Sequence, residues 1–121
     1  MSGQVSALPS VAYKVLTHQQ MIELERDGVF EGAPIDLADG YIHLSSEDQL
    51  AETVAKHFAG QEGLHLVVVD LTVLGDAVKW EPSRGGQLFP HVYAPLPLSA
   101  ALAYGPLERA ADGSVALPIA G

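Results

Sequence analysis

Two short segments hold most of the side chains able to do chemistry. The first runs from Lys79 to Tyr93 and contains the chain's single Trp, one of three Arg, a Gly-Gly pair, two Pro, a His and a Tyr. Within it, Trp80 offers a flat face for stacking a heteroaromatic ring. Glu81, held extended by Pro82, offers a carboxylate to orient a ribose hydroxyl or steady a developing cation. Arg84 next to Gly85-Gly86 joins a guanidinium fork to a backbone that lets amides approach an anion. His91 and Tyr93 share a strand face, an imidazole beside a phenol. The second segment, Gly40 to Ser45, alternates so that Ile42 and Leu44 face one way and Tyr41 and His43 the other. It delivers His43 and Ser45 to a helix start, where an anion is favoured by the free amides and the positive end of the dipole. If the two segments meet, they make a site. His43, Glu81 and His91 are then the candidate catalytic groups, and Ser45, Trp80, Arg84 and Tyr93 the candidate ligand contacts.

Other chemistries find less support. The close ligand spacing of a zinc motif is missing, so no metal is expected. Neither a nucleophile elbow, a phosphate-binding Walker loop nor a dinucleotide glycine fingerprint is present. His18, His57 and His65 read as incidental. With no Cys there is neither a disulfide framework nor a thiol nucleophile. Fifteen acidic residues against six basic give a formal charge of −9, and the basic residues are scattered. That pattern repels nucleic acid, which needs clustered cations to displace counterions. A small anionic molecule remains compatible, held by a local Arg or by backbone amides. The longest apolar stretch, Leu64 to Leu74, is broken by Asp70 and too short to span a bilayer. No basic patch followed by an apolar run marks a secretory signal, so the expectation is a soluble cytoplasmic protein without membrane contact.

The elements that must position these groups can also be read. At 121 residues, nearly half of them apolar, the chain fits one domain. Residues 1–10 read as a loose arm and 11–121 as a single α+β domain. Val11 to Leu16 is β-prone, with Lys14 on the face opposite Tyr13 and Val15. Thr17 and Gln20 form a capping box that opens a helix ending at Gly28. Residues 29–39 read as a loop. Ser46 and Gln49 repeat the capping pattern before a helix whose core stripe is Leu50, Val54 and Phe58. Leu64 to Val69, apolar on both faces, is expected at the centre of the sheet. A turn follows from Leu71 to Gly75, and the segment after Trp80 reads as a dense loop. Ala101 to Glu108 and Ser114 to Leu117 read as a hairpin closed at Asp112-Gly113.

Tyr13-Lys14-Val15, Gly40 to Ser45, His57-Phe58, and Lys79-Trp80-Glu81 running to Phe89-Pro90-His91-Val92-Tyr93 together carry a resemblance. From about Tyr13 onward the chain resembles domain-of-unknown-function family 952, short bacterial proteins without an established activity. What the resemblance implies is a compact α+β domain similar to the ADP-ribosyltransferase fold, with two main helices and a mixed, split β-sheet around a nicotinamide-dinucleotide cleft. It implies NAD as a possible cofactor. Transferases of that fold use a His or Arg on the first core strand, an aromatic or Ser on the next, and commonly a late Glu. Here the first strand offers Lys14, the second motif His43 and Ser45, and the late acid Glu81, with His91 and Tyr93 on a late strand. Two functions follow as expectations: a dinucleotide-binding pocket with glycosyl or ADP-ribosyl transfer, or a non-catalytic ligand-sensing or protein-interaction module that keeps the cleft.

Overall fold

The structure, a computed structural model, describes residues 8–109 and 115–116, with the backbone alone at 84 and 116. Most of the expected amino-terminal arm and the Asp112-Gly113 turn lie outside the described residues. Among them, no helix is long and apolar enough to cross a membrane.

Strand β1 (Val11–Leu16) pairs antiparallel with β4 (His65–Asp70), which pairs in turn with β8 (Ala101–Pro106). β4 is therefore central, as its two-sided apolar character requires. Leu66 and Val68 enter one core cluster with Tyr13, Val15, Leu50 and Val54. Val67 and Val69 enter another with Ala12, Leu16, Leu24, Phe30 and Val92. Lys14 falls between Ala12 and Leu16 on the second face, a cation on an otherwise apolar stripe.

A second antiparallel sheet has the order β3 (Ile42–His43), β6 (Leu88–Val92), β5 (Val78–Pro82). One bridge joins the two sheets: Tyr13 N donates to Ser45 O at 2.8 Å and Ser45 N to Tyr13 O at 2.9 Å. The sheet is split, with a single stitch at the seam among the described residues. Short pairs β2 (Val29–Phe30) with β7 (Leu96–Pro97), and β9 (Glu108–Arg109) with β10 (Val115–Ala116), complete the strands.

Helix α1 (His18–Asp27) follows its sequence signals closely. Gln20 N donates to Thr17 Oγ1 at 3.2 Å, Thr17 N donates to Gln20 Oε1 at 2.9 Å, and Gly28 ends the helix at φ 73°. Met21 and Leu24 are buried. Thr17→Ala removes one half of this reciprocal cap and is expected to cost about 1 kcal/mol, read by urea unfolding. Helix α3 (Leu50–His57) is preceded by a 3-10 turn, Glu47–Gln49, and buries Leu50 and Val54.

Three expectations are corrected. Residues 29–39 are not a loop but β2 followed by helix α2 (Pro34–Asp39). Pro34 stands at the first helical position, Gly40 just past the end at φ 90°, and Asp36 accepts the Ala33 amide at 2.8 Å. These are ordinary start and stop signals packed into six residues. The span 71–75 holds a short helix, α4 (Leu71–Leu74), because Asp70 caps Thr72 N at 3.0 Å. The dense segment after Trp80 is a β-hairpin rather than a loop. Only its tip turns, with Ser83 N on Gln87 O at 2.8 Å and left-handed Gly85 and Gly86 supplying the reversal. The two longest helices, α1 and α3, are the two main ones expected, and the shorter α2 and α4 join them among the described residues.

Candidate functional site

The antiparallel register of β3 and β6 sets His43 directly opposite His91. Both rings lie on the sheet face away from Ile42 and Val92, with centroids 5.5 Å apart and edge-on at 68°. The two chemically rich segments therefore do meet. Tyr41 packs over them, stacked on His91 at 4.1 Å and tilted against His43 at 4.7 Å and Tyr93 at 5.1 Å.

Each imidazole has its own carboxylates. His91 Nδ1 lies 2.8 Å from Glu81 Oε1, and the Tyr93 hydroxyl donates to the same oxygen at 2.7 Å. The hydrogen bonds from Tyr93 and then His91 hold the Glu81 carboxyl below its ordinary value. The same bond to Glu81 pushes the Tyr93 phenol up to about 12, so it stays a donor at neutral pH. His91 is 2% exposed, and its Nε2 is buried without a hydrogen-bond partner among the described residues. A neutral ring that gives its Nδ1 proton to Glu81 carries its lone pair on that second nitrogen.

His43 is held differently. Its Nδ1 lies 2.6 Å from Asp36 Oδ1 and its Nε2 2.9 Å from Asp39 Oδ2, so both contacts are hydrogen bonds when the ring bears two protons. Asp36 is the hub. Only 2% exposed, it accepts from Lys14 Nζ at 3.1 Å, from the amides of Ala33 and His43 at 2.8 and 3.1 Å, and from the His43 ring. Burial alone would raise its pKa, but the His43 bond, the Lys14 charge and the two amides together hold it at about 2. Burial pulls the Lys14 ammonium below its ordinary value, although Asp36 opposes this. Lys14 Nζ also donates to His43 O at 2.9 Å. One carboxylate thus ties β1, α2 and β3 together.

A cleft of about 510 Å3 opens along the split between the sheets. Lys14, Asp36, Asp39, His43, Ser45 and His91 belong to its polar lining, and so does His57, which the sequence suggested was incidental. Val15, Pro34, Ile35, Phe58 and Phe89 give it an apolar wall. Ser83 places the hairpin tip at its rim.

The remaining expected ligand contacts are distributed less simply. Ser45 lines the cleft, but its amide is bonded to Tyr13 O and its hydroxyl lies 2.7 Å from Thr53 Oγ1. Trp80 stands on the opposite face of β5, partly buried against the core, and does not line the cleft. The side chain of Arg84 lies outside the described residues, while its backbone belongs to the tip turn. Glu81 and Tyr93 reach the cleft through His91. Asp36, Asp39 and Tyr41 lie outside the site residues that the sequence suggests. The Pro-x-Asp-x-x-Asp-Gly run at 34–40 was the available signal, because it places two carboxylates three residues apart on a helix beside His43. Among the described residues, no cluster of three or more His, Asp or Glu is arranged to hold a metal.

The family model described as "Protein of unknown function (DUF952)" matches residues 15–104. The chain belongs to this family. The crystal structure of CC0527 from Caulobacter crescentus is 44% identical, with 88% of this chain and 93% of that one covered, at a TM-score of 0.81. The solution structure of CC0527 is 45% identical, with 87% and 90% covered, at a TM-score of 0.75. None of the curated proteins matches the sequence. This DUF952 chain therefore shares its fold with CC0527.

Proposed function

We propose that the cleft binds a small dinucleotide-like ligand and carries out glycosyl-type transfer, with His91 as the base. The carrying observation is the pairing at His91: one ring nitrogen fixed by Glu81, the other buried without a partner among the described residues, in a ring that lines the cleft. That nitrogen is enclosed, so a ligand or acceptor hydroxyl meets its lone pair only after the side chains around it move aside. Burying that nitrogen without a bond costs on the order of 1–3 kcal/mol, which a bound hydroxyl recovers. In the transfer, the C–N glycosidic bond breaks and its electron pair leaves with the ring nitrogen, so nicotinamide departs neutral from a dinucleotide such as NAD. The acceptor oxygen forms the new bond to the sugar carbon and its proton passes to His91 Nε2. Glu81 holds the ring in the required tautomer and faces the positive charge that develops.

Lys14 is paired within the protein, so the phosphate contact proposed here is Arg84, the residue after Ser83 at the rim. The apolar wall at Phe58 and Phe89 takes the flat ring, in place of Trp80. The split sheet with its cleft at the seam supports an ADP-ribosyltransferase-like reading of the fold.

A non-catalytic sensing module is the second reading, favoured by the internal pairing of Lys14, Asp36, His43 and Ser45. Incubating the purified chain with NAD and following nicotinamide release by chromatography separates the two. Release that depends on His91 supports transfer. Saturable binding without release supports the module, and absence of binding removes the dinucleotide from both.

A further inference from the structure

A second pair of imidazoles lies outside the cleft. His18 opens α1 and His65 opens β4. The β1–β4 register sets Leu16 opposite His65, and Thr17 turns the chain so that His18 lands beside it. His18 Nδ1 lies 3.2 Å from His65 Nε2 at an exposed contact, with ring centroids 5.4 Å apart and planes tilted by 30°. Neither residue lines the cleft.

Two neutral rings at this distance share one N–H···N hydrogen bond. The same separation suits two adjacent ligands on one small ion. With metal–nitrogen bonds of about 2.0–2.1 Å, adjacent nitrogens stand about 2.9 Å apart at a right angle and about 3.4 Å apart in a tetrahedron. The observed distance falls between these values, so a metal can replace the shared proton once the two exposed rings pivot to aim both lone pairs at one point. We propose that His18 and His65 form a two-imidazole site for a divalent transition ion of the Cu(II), Ni(II) or Zn(II) class, with water completing the coordination. Imidazole nitrogen selects these ions over Mg(II) and Ca(II), which prefer oxygen. The net charge of −9 raises the local concentration of any cation. With two protein ligands the ion is exchangeable, and it staples the start of α1 to the start of β4.

The test is calorimetric titration of the full chain with Zn(II), Ni(II), Cu(II) and Mg(II), alongside thermal unfolding. One saturable equivalent is expected, tightest for Cu(II), absent for Mg(II), weakening as acid competes for the nitrogens, and raising the unfolding midpoint. His18→Ala and His65→Ala should each weaken binding about tenfold or more, since even the outer-shell partners of a metal ligand are worth roughly 10–100-fold. Both positions are outside the main core clusters, and α1 retains its Thr17 cap, so circular dichroism should show native folds. Absence of a heat of binding overturns the proposal. So does wild-type affinity in both variants, which would assign the ion to another part of the molecule.

Discussion

Asp36→Ala is expected to destabilise the protein by about 3–5 kcal/mol, the cost of leaving a buried charge without its partner. The carboxylate is almost fully enclosed and takes bonds from a cation, two amides and an imidazole. Its removal strands the Lys14 ammonium between Ala12 and Leu16 and frees the start of α2. Lys14→Met should cost less. Asp36 then keeps the Ala33 and His43 donors, and a methionine fits the apolar stripe that Lys14 interrupts. Chemical denaturation of the two variants gives the order directly, and a larger loss in Lys14→Met would contradict the hub role of Asp36.

The pH dependence has a definite sign. The folded-state pKa of Asp36, about 2, is below that of an unfolded aspartate, about 3.9. Its contribution is therefore fully present above about pH 4 to 5 and is lost as pH falls toward 2. Asp36→Asn should flatten that part of the acid limb of the stability curve. An unchanged acid limb would mean that the carboxylate is not held by these donors.

At His91 the largest effect is on turnover rather than stability. His91→Gln can still offer a donor toward Glu81 but has no basic nitrogen. Under the transfer reading it should lower nicotinamide release roughly 10²–10⁴-fold, the usual range for a positioned acid–base group. Glu81→Gln should also slow release, by removing the carboxylate that fixes the tautomer while leaving the imidazole in place. The two losses should not add, because both substitutions disable one unit. Single-turnover kinetics with wild type, both single variants and the double variant provide the check. Additive losses would separate Glu81 from His91.

Much of this architecture can be read from local signals. The Thr17–Gln20 cap and Gly28 bound α1 on both sides, and the two-sided apolar run of β4 announces a central strand. Alternation at Tyr41 to Leu44 separates the buried Ile42 and Leu44 from Tyr41 and His43, and register then carries His43 to His91. What was not legible depends on distance. α2 was hidden because six residues carry too little periodicity to outweigh Gly32 and Pro34. Asp36 reads as one more acid on an acidic chain until β1 brings Lys14 across to it. Trp80 and Glu81 are neighbours in sequence, yet strand alternation sends them to opposite faces, one to the core and one to His91. The His18–His65 contact spans 47 residues and is created wholly by strand pairing.

The most direct measurement is imidazole and backbone NMR of the chain during titration with NAD. The proposed site predicts saturable shifts at the His91 ring and at amides lining the cleft, including Lys14, Thr53 and Phe58, with the His91 response altered in Glu81→Gln. Spectra that do not change, or changes confined to the far face of β5 around Trp80, would contradict it.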